Sequence, residues 1–396
     1  MNKRILANDG LVEEAQKYLK QQGFVIETEK RDEDDLLSEI GQFDALLVRS
    51  ATKVTRKLLE AGVKNGGKLK IVGRGGVGTD NIDLEAAKEL GVIVKFAPNG
   101  NTNATAEHAL GLMFAIARKV PMAHHTLMSG TWHKKRFLGV ELFGKTLGII
   151  GCGRIGQALA AKAGALGMKV IGYDMYRSID APLEYMDSIP ELLKKADFVS
   201  LHCGGADPVI NTEELKLMKE TAFLINASRG KNVAEDALYE ALKTSQIAGA
   251  ALDCYETEPK REGLPFVNKL QELDNIVMSA HLGASTRNAG IRTGMEIAEV
   301  VTAYLRRGDY GNCVNVGETV LDEGADVYTI FITHDDKPGM FGKFGTAMGE
   351  MGVNIRENNS RKLGDHVQTV YMVHSQPTEE VRTALASIEG VIRVSI

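Results

Sequence analysis

At 396 residues the chain exceeds the usual size of one domain, so two or three are expected. Charge is nearly balanced, 47 basic residues against 52 acidic for a net of −5, which argues against nucleic acid or a polyanionic membrane surface as partner. Four cysteines, at 152, 203, 254 and 313, have neither C-x-x-C nor metal-ligand spacing and suit a reducing, cytoplasmic compartment with no bound metal. The first residues hold only three consecutive apolar side chains, Ile5 to Ala7, too few for a signal peptide, and no apolar run reaches membrane-spanning length.

The first hundred residues alternate short apolar strands with helical stretches. Strands are predicted at 4–7, 24–27, 45–49, 69–72 and 92–95, and helices at 13–21, 34–40, 55–61 and 84–90. Elements of this length in alternation imply a parallel sheet covered by helices on both faces. The third strand runs into Val48-Arg49-Ser50-Ala51-Thr52-Lys53, a basic strand end. The fourth precedes Gly73-Arg74-Gly75-Gly76-Val77-Gly78. That glycine run is a poor dinucleotide site, because Thr79-Asp80-Asn81 opens no helix, but its N–H groups can hold a carboxylate. Pro98-Asn99-Gly100 reads as a hinge. An alanine-rich apolar helix follows at 102–117, with a hydrophobic face so wide that it must be buried in its domain or in a subunit contact. The connection after it carries the densest basic cluster, Trp132-His133-Lys134-Lys135-Arg136.

Residues 146 to 174 are the most informative. Apolar residues 147–150 lead into Gly151, Gly153 and Gly156, spaced G-x-G-x-x-G; a helical run follows, then a second strand ending at Asp174. Gly151 permits the tight turn, Gly153 lets a pyrophosphate approach the backbone, and Gly156 lets helix and strand pack closely. The diphosphate would rest on a helix N-terminus, where unpaired N–H groups and the helix dipole favour negative charge. Asp174 can accept hydrogen bonds from both ribose hydroxyls of NAD and would repel the extra phosphate of NADP, so NAD is the expected cofactor. Arg177 nearby reads as a solvated surface residue.

Further strands are predicted near 198, 223, 249 and 276, and three polar residues sit just past them: Arg229, Glu258 and His281. Ligands of open α/β sheets bind outside the carboxyl ends of strands, so all three should face one crevice. There a histidine can take a hydroxyl proton, a carboxylate behind it can fix its tautomer and raise its basicity, and a guanidinium can grip a carboxylate in a fork. Glu256 competes with Glu258 for the carboxylate role, and spacing alone does not separate them. A long amphipathic helix is predicted at 292–305. After about residue 311 the order becomes strand 327–333, helix 338–351, strand 353–358, turn 363–365, strand 366–374, helix 378–388, strand 391–395. This is the βαββαβ, ferredoxin-like order, reached through an acidic linker at 318–326.

Four segments together, 73–83 (Gly-Arg-Gly-Gly-Val-Gly-Thr-Asp-Asn-Ile-Asp), Asn226-Ala-Ser-Arg-Gly230, Ala251-Leu-Asp-Cys-Tyr-Glu-Thr-Glu-Pro259 and His281-Leu-Gly-Ala-Ser-Thr286, resemble the D-2-hydroxyacid dehydrogenases. The phosphoglycerate-oxidising branch is the nearest match, over essentially the whole chain, and residues 327–396 look like its ACT domain. The resemblance implies a flavodoxin-like substrate-binding domain at 1–98 and 288–315. It implies a Rossmann NAD domain at 99–287, a linker at 316–326 and a regulatory ACT domain at 327–396. It implies NAD-dependent oxidation of D-3-phosphoglycerate to 3-phosphohydroxypyruvate on the route to L-serine, with His281 as base, Glu258 (the acid before the proline) orienting it and Arg229 holding the substrate carboxylate. NAD would lie along Gly151, Gly153, Arg154, Ile155, Gly156, Asp174, Cys203, Ala227, Asp253 and Gly283. Substrate would meet Arg49, Gly76 and Val77, with Lys134 reaching a neighbouring subunit of a homodimer or homotetramer. In paired ACT domains His334 and Asn354 would contact L-serine. Three places depart from the family: Gly204-Gly205 stands for a proline-leucine pair, 176–190 is shorter than in many relatives, and Asp336 replaces the asparagine of the serine-responsive pattern. A glyoxylate or hydroxypyruvate reductase, and a nucleotide-sensing corepressor on the same scaffold, are the alternatives.

Overall fold

The computed structural model describes residues 3–178, 180–205, 207–259, 263–309, 312–315, 328–363 and 366–396. The expected linker (316–326), residue 327 and most of the turn at 363–365 lie outside the described residues. The chain forms two compact units, Met1–Gly100 with Ile291–Ile396, and Asn101–Gly290.

In the first unit, strands β1 (Arg4–Ala7), β2 (Val25–Glu27), β3 (Ala45–Val48), β4 (Ile71–Arg74) and β5 (Ile93–Phe96) alternate with helices α1 (Glu13–Gln21), α2 (Glu33–Glu39), α3 (Arg56–Val63) and α4 (Leu84–Glu89). All pairs are parallel, in the order β2-β1-β3-β4-β5, the flavodoxin-like arrangement. The strands are continuous apolar runs rather than alternating ones because both faces are covered. Helix starts follow their caps: Asp32 accepts from Asp35 N, and Asp83 from Ala86 N. The fourth strand lies two residues later than predicted, running through Gly73. A side chain there would strike Ile297 and Val301 of α11 (Arg287–Arg307), so this glycine admits a helix against the sheet.

The second unit opens with helices α5 (Thr102–Ala117) and α6 (Val120–Met128), the latter unforeseen in the sequence. Then come β6 (Thr146–Ile150), α7 (Arg154–Ala165), β7 (Lys169–Tyr173), β8 (Glu184–Tyr185), α8 (Ile189–Lys195), β9 (Phe198–Leu201), α9 (Thr212–Leu217), β10 (Phe223–Asn226), α10 (Glu235–Lys243), β11 (Gly249–Leu252) and β12 (Ile276–Met278). The seven-stranded parallel sheet has the order β12-β11-β10-β9-β6-β7-β8, doubly wound about a switch point between β6 and β9. The apolar helix α5 packs on α7 and over β10 and β11, which buries Ala106, Ala109 and Met113.

The C-terminal module is the βαββαβ fold expected: β13 (Tyr328–Asp335), α12 (Met340–Glu350), β14 (Ile355–Leu363), β15 (His366–Val373), α13 (Glu379–Ala386) and β16 (Val391–Ser395), in the antiparallel order β14-β15-β13-β16. Ile330 and Ile332 point to its own core with Phe344 and Leu385. Phe331 and Val370 leave by the opposite face and join the cluster of Val301 and Leu305 on α11.

Candidate active site

At the switch point Gly151 adopts φ +94°, and a side chain on it would strike the backbone of His202 and Cys203. Gly156 is equally tight, with the Gly151 carbonyl where a Cβ would be. Gly153 is different: it caps the 12-residue helix α7 with no side-chain hydrogen bond, and open space lies where its Cβ would be. Exposed N–H donors at an uncapped helix start, reached through a glycine with room above it, fit a dinucleotide diphosphate. Asp174 sits at the end of β7, where its carboxylate accepts from Cys152 N (2.7 Å) and Tyr176 N (3.0 Å), tying the strand end to the glycine turn. Arg177 is engaged elsewhere, with Asp187 at 2.9 Å and the Met186 carbonyl. Arg154 is exposed and Ile155 half-buried at the first turn of α7.

The ends of β9 and β10 are knit by asparagines. Asn226 accepts from Ser228 N and Oγ and donates to the Arg229 carbonyl; Asn232 donates to Ser228 Oγ and to the Cys203 carbonyl. This fixes the loop carrying Ala227 and Arg229. Gly230 carries the loop against the next strand end, since a Cβ there would fall 1.8 Å from the Tyr255 carbonyl oxygen.

Beyond β11 and β12 the geometry separates the two rival acids. Glu258 reaches His281 Nδ1 with both oxygens, at 2.9 and 3.0 Å, and accepts from Tyr255 N. Glu256 turns away: its carboxylate accepts from Glu235 N at the start of α10, and its own N–H donates to the Glu235 carboxylate. The Glu258 hydrogen bond raises the His281 pKa above its ordinary 6.5, against partial burial and the nearby positive charge of Arg229. A proton on Nδ1, held by a carboxylate, leaves Nε2 as the basic nitrogen. His281 sits at φ +54°, a left-handed conformation that costs a non-glycine residue about 1–3 kcal/mol. Asp236, another partner conceivable for Arg229, is paired with Lys269.

Asp253 is the buried organiser of this turn. Its Oδ1 accepts from Ser279 Oγ (2.6 Å), Leu282 N (2.8 Å) and His108 Nε2 (3.1 Å), and its Oδ2 from Gly283 N (2.8 Å). Burial alone would raise its pKa, but the bonds from His108, Ser279 and Leu282 more than reverse that, so it is ionised well below neutral pH. No motif in the sequence marks His108 or Ser279 as part of the site. The one signal for His108 is that it and Glu107 are the only ionisable residues within α5.

Among the residues expected to meet substrate, Arg49, Gly76 and Val77 lie in the first unit, at the carboxyl ends of the paired strands β3 and β4. Asp9 accepts from Arg49 N and Thr52 N, which fixes the backbone and leaves the arginine exposed. Lys134 lies in the second unit, exposed just before the single turn Lys135–Phe137. The C-terminal module holds the two residues expected to meet an effector, His334 and Asn354. His334 is a core residue, 2% exposed, with Nδ1 on the Asp335 carbonyl and Nε2 on Thr369 Oγ1, both at 2.8 Å. Its ring packs edge-on against Phe344. Asn354 is exposed.

Comparison with known proteins adds independent findings. Residues 110–283 match the model of the D-isomer specific 2-hydroxyacid dehydrogenase NAD binding domain, and residues 328–393 match the ACT domain. A D-3-phosphoglycerate dehydrogenase of Methanocaldococcus jannaschii is 44% identical over 79% of this chain, which spans 59% of that relative's length. A hydroxypyruvate reductase of Thermotoga maritima is 42% identical over 76% of this chain and 98% of its own. A glyoxylate reductase structure from Paecilomyes thermophila superposes with a TM-score of 0.70, 26% identity, and 79% and 98% of the two chains covered.

Proposed function

Because the chain belongs to the D-isomer specific 2-hydroxyacid dehydrogenase family, we propose that it oxidises D-3-phosphoglycerate to 3-phosphohydroxypyruvate with NAD. The observation that carries the reading is the hydrogen bond of His281 Nδ1 to the Glu258 carboxylate at the carboxyl ends of β11 and β12. The proposed domain division is substrate-binding at 1–98 and 288–315, NAD-binding at 99–287, linker at 316–326 and ACT at 327–396.

When bound, NAD supplies the hydride acceptor for C2 of the hydroxy acid. His281 Nε2 takes the proton of the C2 hydroxyl as the carbonyl forms, and Glu258 stabilises the resulting imidazolium. Arg229 holds the substrate carboxylate and stabilises negative charge on the developing carbonyl oxygen. The reaction releases one proton per turnover, so oxidation speeds up as pH rises. Gly151, Gly153, Arg154, Ile155 and Gly156 are assigned to the diphosphate and Asp174 to the adenosine ribose. Cys203, Ala227, Asp253 and Gly283 flank the remainder; Asp253 keeps Oδ2 lone-pair capacity beyond its Gly283 bond. Arg177 is bound to Asp187 rather than turned toward Asp174, which supports NAD over NADP.

Arg49 is assigned to the substrate phosphate, the Gly76 and Val77 backbone to its carboxylate, and Lys134 to the phosphate from a neighbouring subunit. Exposed Phe114, Val120, Leu127 and Met128 on α5 and α6 support a homodimer or homotetramer. The four free cysteines support a cytoplasmic location. L-Serine is the proposed effector of paired ACT domains, with His334 and Asn354 as its contacts. A second reading, reduction of hydroxypyruvate, is favoured by the near-complete coverage of the Thermotoga maritima relative.

Absorbance of NADH during turnover of a panel of D-2-hydroxy acids decides between them. The expected result is the highest kcat/KM for phosphoglycerate. A higher value for hydroxypyruvate reduction than for reduction of its phosphorylated counterpart would overturn the assignment.

A further inference from the structure

Resting on the reading of His281 as base, we propose that His108 is a positioning residue for that base: it holds Asp253, and through Asp253 the turn that aims His281 at Glu258. The hydrogen positions follow from counting. Asp253 is ionised and can only accept, and the single hydroxyl proton of Ser279 goes to Asp253 at 2.6 Å. His108 Nε2 lies 3.1 Å from both Asp253 Oδ1 and Ser279 Oγ, so Nε2 must carry a hydrogen, shared between the two.

Asp253 in turn accepts from Leu282 N and Gly283 N, the two amides directly after His281. Those bonds hold the backbone that keeps His281 at φ +54°. Tyr255 closes the arrangement from below, its hydroxyl donating to the Ser279 carbonyl at 2.9 Å. His108 comes from α5, so a helix 171 residues distant from Ser279 in sequence supplies the side-chain donor that steadies the turn. Without that donor the Asp253 carboxylate keeps its charge with fewer partners, and the turn loses its fixed anchor.

The charged groups facing His281 are Glu258 and Asp253 from the β11 end and Arg229 from the β10 end. Facing His108 are Asp253 and, on its own helix, Glu107, which reaches Lys162 of α7 at 3.7 Å. The direct Glu258 hydrogen bond is the strongest influence on His281, stronger than the charge of Asp253. Loosening the turn loosens that bond and lets the imidazole become less basic.

The test compares H108L, which fills the space without a donor, with H108Q, which keeps an N–H of similar reach. H281N serves as the control. Expected for H108L is a fall of about tenfold or more in kcat for oxidation with less than about twofold change in KM for the acid. The acid limb of its pH–rate profile should also move down toward the ordinary imidazole value. H108Q should recover most of both. Wild-type kcat and profile in H108L, or equal impairment in H108Q, would overturn the proposal. An H281N protein that stays active would instead remove the base reading beneath it. If H108L does not fold, S279A deletes the other side-chain donor to Asp253 while leaving α5 intact, and the same two criteria apply to it.

Discussion

Few non-glycine residues sit at φ +54°, and His281 does so beside the carboxylate that raises its basicity. The sign of the pH effect follows. With His281 as the proposed base, oxidation needs neutral imidazole, and a raised pKa keeps the proton on to higher pH, so the acid limb for oxidation should lie above 6.5. Replacing Glu258 by Gln removes the chief cause of that rise. The limb should move to lower pH while plateau kcat falls about a hundredfold, as read from pH–rate profiles. A limb that stays in place would assign the acid branch to another group. Asp174 has a double duty, since it also anchors Cys152 N and Tyr176 N. In D174S the KM for NAD should rise and the ratio of NAD to NADP efficiency should fall, both measurable by initial rates. The residues that carry these effects were partly legible. His281 and Glu258 follow strand ends in the sequence, but choosing Glu258 over Glu256 required seeing which one folds back to Nδ1. His108 carried a single signal, its place as one of two ionisable residues in an apolar helix, but its role was illegible because its partners lie far along the chain.

Two glycines of the second unit make opposite predictions about their elements. At Gly230 a methyl would meet the Tyr255 carbonyl, a backbone atom that cannot step aside, so G230A should lose activity together with about 1–3 kcal/mol of stability in chemical denaturation. At Gly153 the same methyl meets nothing, and φ is −72°. G153A should therefore unfold like the wild type yet show a raised KM for NAD, because the methyl occupies the approach to the helix start. Loss of stability in G153A with unchanged KM would argue against a diphosphate there. The alternation of strands and helices was readable because short apolar runs and caps such as Asp83 state their role locally. Strand β4 was misplaced because Gly73 looks like a breaker, whereas its bareness is what α11 packs against. Helix α6 was missed because it buries no residue and its polar side chains, His124, His125 and Thr126, are consecutive, so no helical period shows there.

At the scale of the molecule, the C-terminal module is packed on the first unit's own helix. Phe331 and Val370 share an apolar cluster with Val301 and Leu305, and the module keeps a separate interior around Phe344. His334 belongs to that interior. H334A strips partners from Thr369 and the Asp335 carbonyl and should cost about 1–3 kcal/mol in denaturant unfolding. With Asn354 as a proposed serine contact, the dependence on serine concentration should weaken in N354A, which a serine titration of NADH formation can read. The first unit has another property. Glu296 of α11 accepts from Asn99 N, Asn99 Nδ2 and Gly100 N, and Arg292 donates to the Gly100 carbonyl. The chain thus departs at Gly100 and comes back at Ile291 through one clasp, which makes 101–290 a guest inserted in a host. Excising the guest and bridging 100 to 291 with a short loop should leave the host foldable, and the excised cassette could be exchanged between enzymes as a unit.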